Sequence, residues 1–86
     1  MRLDKFLKVS RVIKRRTLAN EACDGGRVTI DGKPAKAATD VKIGNIIEIR
    51  FGEKLYRYEV LDVKETVTKT QAGELVRALG QHGTVD

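Results

Sequence analysis

The sequence contains one cysteine, one histidine and no tryptophan, and it has no long apolar run. A single cysteine cannot form an internal disulfide bond, which favours a reducing compartment. One histidine and one cysteine are too few for the usual zinc ligand set. The chain has neither the roughly 20 apolar residues of a membrane-spanning helix nor the apolar segment of a signal peptide. We therefore expect a cytoplasmic protein that holds no metal or other cofactor.

Residues suited to catalysis are equally scarce. His82 lies in a predicted C-terminal tail. Cys23 lies on the apolar side of a predicted helix, where a small buried hydrophobic residue is favoured over a reactive thiol. The sequence suggests no nucleophile with a base and an orienting group, and no glycine-rich loop has a phosphate-binding spacing. The sequence therefore favours a protein that is not an enzyme.

Positive charge is abundant and unevenly placed. Residues 1–36 carry ten Lys and Arg against four Asp and Glu, a net charge of +6, whereas residues 37–86 carry seven against eight. A basic first third on a nearly neutral remainder is typical of a surface that binds a polyanion. The basic set comprises Arg2, Lys5, Lys8, Arg11, Lys14, Arg15 and Arg16, with Arg27, Lys33 and Lys36 downstream.

Two short helices are predicted within the basic segment. Leu3, Phe6 and Leu7 have the spacing of one helical face, which predicts a helix over residues 3–9. A second apolar stripe predicts a helix over residues 15–24, and the glycines that follow it favour a helix end.

The start of the second helix carries the densest positive charge. Lys14, Arg15 and Arg16 stand where the helix dipole disfavours cations by roughly 0.3–1 kcal/mol each. A bound phosphate would reverse this local cost, because free N–H groups and the dipole attract an anion to the same place. We therefore interpret this helix start as part of the polyanion-binding surface.

Alternating apolar residues predict strands after the helices. A strand near residues 28–30 ends in an Asp31-Gly32 turn. A second strand over residues 46–51 is linked by residues 52–54 to a third over residues 55–63, which predicts a hairpin.

The C-terminal segment is predicted as a short helix followed by a frayed tail. Residues 1–63 are assigned to one domain with a hairpin extension, and residues 64–86 to a C-terminal extension. The predicted fold class is α+β, with two short N-terminal helices packed on a small, mostly antiparallel sheet. The apolar residues of the last helix are Ala72, Leu75, Val76 and Leu79, with Gly80 as its stop and residues 81–86 as the tail.

Asp4 is the one acid among the first 16 residues. We favour a first-turn acid that is stabilised by the helix dipole and paired with Lys8, four residues later. The alternative is that Asp4 orients Arg2 or another arginine for RNA.

Structured RNA is the favoured polyanion. A membrane-binding helix would need large exposed apolar groups opposite its cations, whereas the short apolar stripes are needed for the core. Binders of single strands use exposed aromatic platforms, but both phenylalanines are predicted to lie on core faces. Binding through backbone and shape suits structured RNA, although charge alone leaves DNA open. A domain that binds only protein would leave the basic face unexplained.

Four stretches, MRLDKFL, KRRTLANEAC, GRVTIDGKPAK and VKIGNIIEI, together resemble the alpha-L RNA-binding domain, also called the S-four-type domain, over residues 1–51. This chain has Arg15 where many members have serine, and Asp31 where asparagine is common. The resemblance implies RNA contacts from the two helices, their connecting turn and the following β segment. With Lys8 of the basic set, the predicted RNA-binding residues are Arg2, Lys5, Lys8, Arg11, Lys14, Arg15, Arg16, Lys33 and Lys36.

Within this family the chain looks most like the stand-alone RqcP-type group, and it is similar also to the Hsp-fifteen heat-shock group. The first resemblance implies binding to 23S rRNA and peptidyl-tRNA on obstructed large ribosomal subunits. It also implies a partner of the RqcH class, whose C-terminal alanine tailing the chain would support, and a monomer off the ribosome. The second resemblance implies recycling of stalled large subunits that carry nascent chain-tRNA, without tailing. An RNA-modifying enzyme would need a catalytic set that the sequence lacks.

Overall fold

Two helices open the chain at the places that the apolar spacing predicts. In the computed structural model, which describes residues 1–65 and 67–79, helix α1 spans Leu3–Val9 and helix α2 spans Arg16–Asp24. Helix α2 begins one residue later than predicted, because Arg15 has an extended backbone and serves as its N-cap residue. The prediction of two short N-terminal helices is confirmed.

Five strands form one antiparallel sheet. Their spatial order is β2-β1-β3-β4-β5, and each neighbouring pair is antiparallel. The predicted hairpin is confirmed as the pair formed by the third and fourth strands. The strands are β1 (Val28–Ile30), β2 (Lys33–Pro34), β3 (Ile46–Phe51), β4 (Lys54–Val60) and β5 (Val76–Ala78).

The core lies between the two helices and one face of the sheet. Ile47 and Ile49 alternate with polar residues along β3, and both are fully buried in one cluster with Leu3, Phe6 and Leu7. Burial of one such side chain contributes about 1.5–3 kcal/mol relative to exposure. The polar residues of β3 point to the opposite, outer face of the sheet.

The turn between β1 and β2 is confirmed at Asp31 and Gly32. Their φ angles are 52° and 80°, the left-handed values of a tight hairpin turn. The Asp31 carboxylate also accepts hydrogen bonds from the backbone N–H of Ile46 and the side-chain amide of Asn45, each at 2.9 Å. The acid therefore fastens the start of β3 to the turn.

The predicted helix over residues 72–79 is wrong. A capping box between Thr68 and Gln71 starts helix α3 earlier, and this helix covers only Lys69–Ala72. Val76–Ala78 instead forms β5, because the edge of β4 offers unpaired backbone groups to which it hydrogen-bonds.

The remaining C-terminal predictions have no structural counterpart. Gly80 as a helix stop and residues 81–86 as a tail lie outside the described residues, as does His82. The division at residue 63 stays a prediction, although β5 joins the sheet from beyond it. In the part of the chain that the structure describes, no helix is long and apolar enough to cross a membrane.

Candidate nucleic-acid interface

The start of helix α2 has no side-chain cap. Its N-cap residue, Arg15, accepts no capping hydrogen bond, and the first turn contains no acid. The same chain builds a complete capping box at α3 with Thr68 and Gln71. The first N–H groups of an α-helix have no intrahelical acceptor. An uncapped start is therefore available to an anion.

Helix α1 begins differently. Its backbone N–H groups at Leu3 and Asp4 donate to the carbonyl oxygens of Thr39 and Ala37, at 2.8 and 3.2 Å. These bonds anchor the start of α1 to the loop before β3. Of the two N-terminal helices, α2 is thus the one whose start can receive a ligand.

A buried carboxylate joins the two helices. The side chain of Asp4 is only 3% exposed. Its Oδ1 and Oδ2 accept a two-pronged contact from Arg2, with Nε at 3.1 Å and Nη2 at 3.3 Å. Oδ2 also lies 3.3 Å from the Asn20 amide nitrogen and 3.5 Å from Arg16 Nε. One carboxylate thus ties an arginine before α1 to an arginine at the start of α2.

The pKa of Asp4 reflects this crowding. Burial alone would raise the pKa. Hydrogen bonds from Arg2, Asn20 and the backbone N–H of Lys5, with the charge of Arg16, overcome burial and lower the pKa to about 2. Asp4 is therefore ionised at neutral pH and holds Arg2 by charge and hydrogen bonds, and Arg16 by charge.

The favoured pairing of Asp4 with Lys8 is wrong, because the carboxylate is buried between the helices and its described partners are other groups. The placement in the first turn of α1 is confirmed. The contact with Arg2 and a second arginine, which was the alternative, is confirmed as geometry. Asn20 was not predicted, although its position four residues after Arg16 puts it on the same side of α2.

Both arginines keep donors for a ligand. Arg2 and Arg16 are each about half exposed, at 51% and 50%. Arg2 uses two of its about five N–H groups on Asp4, whereas Arg16 forms an ion pair with Asp4 and no hydrogen bond to it. The remaining N–H groups can bind phosphate oxygens in the forked geometry that arginine favours. The arrangement is that of a preorganised pair of anion-binding groups.

Arg11 ends helix α1 in an unusual conformation. Its φ angle is 61°, and its N–H donates to the carbonyl oxygen of Lys8 at 3.1 Å. Glycine is the usual residue at this position, since a left-handed backbone costs other residues roughly 1–2 kcal/mol. The chain places an exposed cation where a glycine would be more stable. Such strain is typical of a functional position.

Lys36 lies on the Arg2 side of α2. Its Nζ donates to the carbonyl oxygen of Asp24 at 3.4 Å, and the Asp24 carboxylate accepts from the Ala37 N–H at 3.0 Å. The pKa of Arg2 is raised, chiefly by its hydrogen bond with Asp4, and the charge of Asp24 contributes. The structure therefore joins Arg2 and Arg16 through Asp4 and places Lys36 at the C-terminal end of α2.

The other predicted residues occupy different positions. Lys5 forms an ion pair with Glu65 of the C-terminal segment, whose pKa that pair lowers. Lys33 lies on β2, an edge strand of the sheet, and follows both helices in the sequence. Three more cations are exposed on α1 and in the loop between the helices, namely Lys8, Lys14 and Arg15.

Cys23 is fully buried, as predicted. Burial, with the charges of Asp4 and Asp24, raises the pKa of its thiol to about 12. The thiolate needed for nucleophilic or metal-binding chemistry is therefore strongly disfavoured. Among residues 1–65 and 67–79, no group of three or more His, Cys, Asp and Glu could hold a metal ion.

Comparison with known proteins gives consistent matches. The S4 domain family matches residues 1–47. The RQC P-site tRNA stabilizing factor of Halalkalibacterium halodurans is 61% identical over 75 residues, 87% of this chain and 85% of that protein. The factor of the same name from Bacillus subtilis is 53% identical over 79 residues, 92% of each chain. The trimeric structure of Vibrio cholerae heat shock protein 15 superposes with a TM-score of 0.82 at 31% identity, over 92% of this chain and 81% of that one.

Replacing Asp4 by asparagine tests the buried carboxylate through pH. Its pKa of about 2 lies below the ordinary value of 3.8, so ionised Asp4 stabilises the fold above about pH 4. This contribution is lost as the pH falls towards the folded pKa. We expect the difference in unfolding free energy between wild type and Asp4→Asn, measured in urea, to shrink by about 2 kcal/mol between about pH 5 and about pH 2.

Glu53→Gln is the matched control for this measurement. Glu53 is exposed in the turn between β3 and β4 and has no hydrogen bond or ion pair with the described residues. The control should therefore follow the wild-type profile. A difference between wild type and Asp4→Asn that stays constant with pH would contradict the role assigned to the ionised carboxylate.

Replacing Arg11 by glycine separates stability from binding. Relief of the left-handed backbone should raise the unfolding free energy by about 1 kcal/mol, whereas loss of the cation should weaken affinity for RNA. Arg11→Ala is the control, since it loses the same charge but keeps the strain. Thermal melts and RNA titrations check both effects. A glycine variant that is less stable than the alanine variant would refute the assignment of strain.

Proposed function

The chain belongs to the S4 domain family, among relatives named RQC P-site tRNA stabilizing factors, and we propose that it is a non-enzymatic RNA-binding adaptor of ribosome-associated quality control. In this proposal it binds 23S rRNA and peptidyl-tRNA on obstructed large ribosomal subunits in the cytoplasm. It supports C-terminal alanine tailing by a partner of the RqcH class. The observation that carries the proposal is the pair Arg2 and Arg16, held by Asp4 beside the uncapped start of α2.

The cationic start of α2 lowers the stability of the free protein. Arg16 stands in the first turn of α2, where its charge opposes the helix dipole. The ion pair with Asp4 lowers that cost. Because the Asp4 carboxylate is buried, its negative charge is not exposed on the surface. A phosphate at the same place would gain from the two guanidinium groups, the dipole and the free N–H groups together. The protein is thus arranged for a ligand of negative charge.

Structured RNA fits this arrangement better than a single strand that is bound by base stacking. Phe6 and Tyr58 are buried, and Phe51 and Tyr56 are partly buried against the core. Such side chains give few stacking platforms for single strands. Recognition through phosphates and helix shape therefore supports rRNA as the main contact of the two-helix face.

The tRNA enters the proposal through the relatives, and the tailing partner through the RqcP-type resemblance of the sequence. Both bacterial relatives are named as factors that stabilise P-site tRNA. Both match most of this chain and most of their own length, so the similarity extends beyond the residues 1–47 that match the S4 domain family. We assign the rRNA contact to the two-helix face, which leaves the sheet side for the tRNA or the partner protein.

A second candidate is a factor like heat shock protein 15 that recycles stalled large subunits without tailing. The TM-score of 0.82 with the Vibrio cholerae protein favours it as the alternative. A reconstituted reaction with large subunits, peptidyl-tRNA, alanyl-tRNA and an RqcH-class protein distinguishes the two. We expect this chain to increase the length of alanine tails. Subunit binding with unchanged tail length would favour the alternative.

The interface itself is tested by substituting the paired arginines. Arg2→Ala and Arg16→Ala should each weaken binding to purified large ribosomal subunits by roughly tenfold or more, because each removes charged hydrogen bonds to phosphate. If about five phosphates are neutralised, the logarithm of affinity should fall with the logarithm of salt at a slope near −4, made shallower by about 1 in each variant. Co-sedimentation over a salt series measures both quantities.

Arg77→Ala is the matched control, since Arg77 is exposed on β5 and pairs with Glu59 away from the helices. Its affinity should remain that of wild type. Circular dichroism should show that both test variants stay folded, because Asp4 keeps hydrogen-bond donors after either loss. Equal affinity in all three variants, or binding that ignores salt, would refute the proposed interface. The proposed monomer off the ribosome is checked by light scattering in the same buffers.

A further inference from the structure

Two clefts meet at Arg27, on the side of the molecule away from Arg2 and Asp4. The first, of about 250 Å³, opens on the outer face of the sheet and is lined by Arg27, Thr29, Glu48, Arg50 and Leu55. The second, of about 260 Å³, lies between α2 and the end of β3. Arg27 lines both clefts, so the two adjoin at its side chain.

The first cleft contains polar groups without partners. The hydroxyl oxygen of Thr29 is buried and has no hydrogen-bond partner among the described residues. Buried polar atoms are rarely left in this state, and an exception calls for a missing partner. Thr29 lines a cleft that is open to solvent, so its buried hydroxyl lies next to any ligand that occupies the cleft.

The cationic groups of this cleft are also unneutralised. Arg27 and Arg50 form no ion pair within the described part of the chain. Neighbouring arginines on the same face do pair, Arg57 with Glu48 at 3.5 Å and Arg77 with Glu59. On the outer face, acids therefore neutralise Arg57 and Arg77, whereas Arg27 and Arg50 at the cleft keep positive charge available to a ligand.

The backbone holds the two free arginines together. The N–H of Arg50 donates to the carbonyl oxygen of Arg27 at 2.8 Å. The guanidinium of Arg27 lies over the ring of Phe51, 5.9 Å from its centre, which restrains it by a cation–π contact. Leu55, at 38% exposed, adds an apolar wall. The cleft thus offers positive charge, a free hydroxyl and an apolar surface within one small volume.

We propose that this cleft binds one unpaired nucleotide of RNA, as an extension of the interface at the helix starts. This inference rests on the proposed function, namely that the chain binds RNA. The phosphate contacts Arg27 and Arg50, the base packs against Leu55, and a polar group of the nucleotide pairs with Thr29. Unstacked nucleotides are bound in this way, through arginine, apolar contact and hydrogen bonds to polar edges.

Continuity with the first interface favours RNA over a protein segment. The second cleft is lined by Ile13 and Leu18, which flank the exposed Lys14, Arg15 and Arg16. In this proposal a strand that leaves the start of α2 follows the second cleft to Arg27 and enters the first cleft on the outer face. An acidic peptide would also satisfy the charge, but the match to the S4 domain family and the relatives named for P-site tRNA favour RNA.

Titration of the full chain with single-stranded pentauridylate and pentaadenylate, followed by amide NMR shifts, tests the proposal. We expect shifts at Arg27, Thr29 and Arg50. Arg50→Ala should weaken oligonucleotide binding about fivefold or more, and Arg77→Ala on the same face should not. Thr29→Val keeps the shape but removes the hydroxyl, so it should weaken binding while leaving the melting temperature unchanged or higher.

Each contrary result has a distinct meaning. Shifts confined to residues 2–16, or equal effects of Arg50→Ala and Arg77→Ala, would overturn the nucleotide cleft while leaving the two-helix interface intact. Loss of large-subunit binding by Arg50→Ala without any change in oligonucleotide affinity would overturn it in favour of a protein partner. Shifts at the cleft together with wild-type subunit binding by Arg2→Ala and Arg16→Ala would support the cleft and refute the two-helix interface.

Discussion

The buried carboxylate of Asp4 is the interaction on which the rest of the binding surface depends. It accepts hydrogen bonds from Arg2 and Asn20, lies within ion-pair distance of Arg16, and so connects the beginnings of both helices. A buried charge is costly unless it is fully paired and hydrogen-bonded. Here the pairing uses the same arginines that face the solvent. The packing of the two helices and the presentation of the cations are therefore one arrangement.

Helix stability and ligand binding make opposite demands on this part of the chain. Arg11 occupies a left-handed position suited to glycine, Arg15 replaces a capping side chain, and Arg16 opposes the helix dipole. Each choice weakens the free protein locally, by roughly 0.3–2 kcal/mol. The stability gained by the apolar core, in which Leu3, Phe6 and Leu7 are fully buried, offsets these costs. The chain can place charge where phosphate is to bind because its stability comes from packing rather than from capping.

Much of the fold and part of the site follow from local pattern. Helices α1 and α2, the Asp31 turn and the β3–β4 hairpin lie where residue spacing and turn residues predict them. Prediction failed where distant residues decide the outcome. Val76–Ala78 has helical spacing, yet it forms a strand because β4 offers an open edge. Asp4 has a lysine at the ideal helical distance, yet it turns inward to arginines that the fold supplies.

The sequence by itself determined the two helices, the turns, the concentration of positive charge and the family of the chain, because these depend on composition and on residues a few positions apart. Only the tertiary structure decided which cations act together. Asp4 connects Arg2 to Arg16, and Lys5 pairs with Glu65 from the C-terminal segment. Among the described residues, Arg27 and Arg50 remain without an ion pair beside Thr29. These arrangements depend on burial and on contacts between distant segments. Periodicity along the chain carries no record of such contacts.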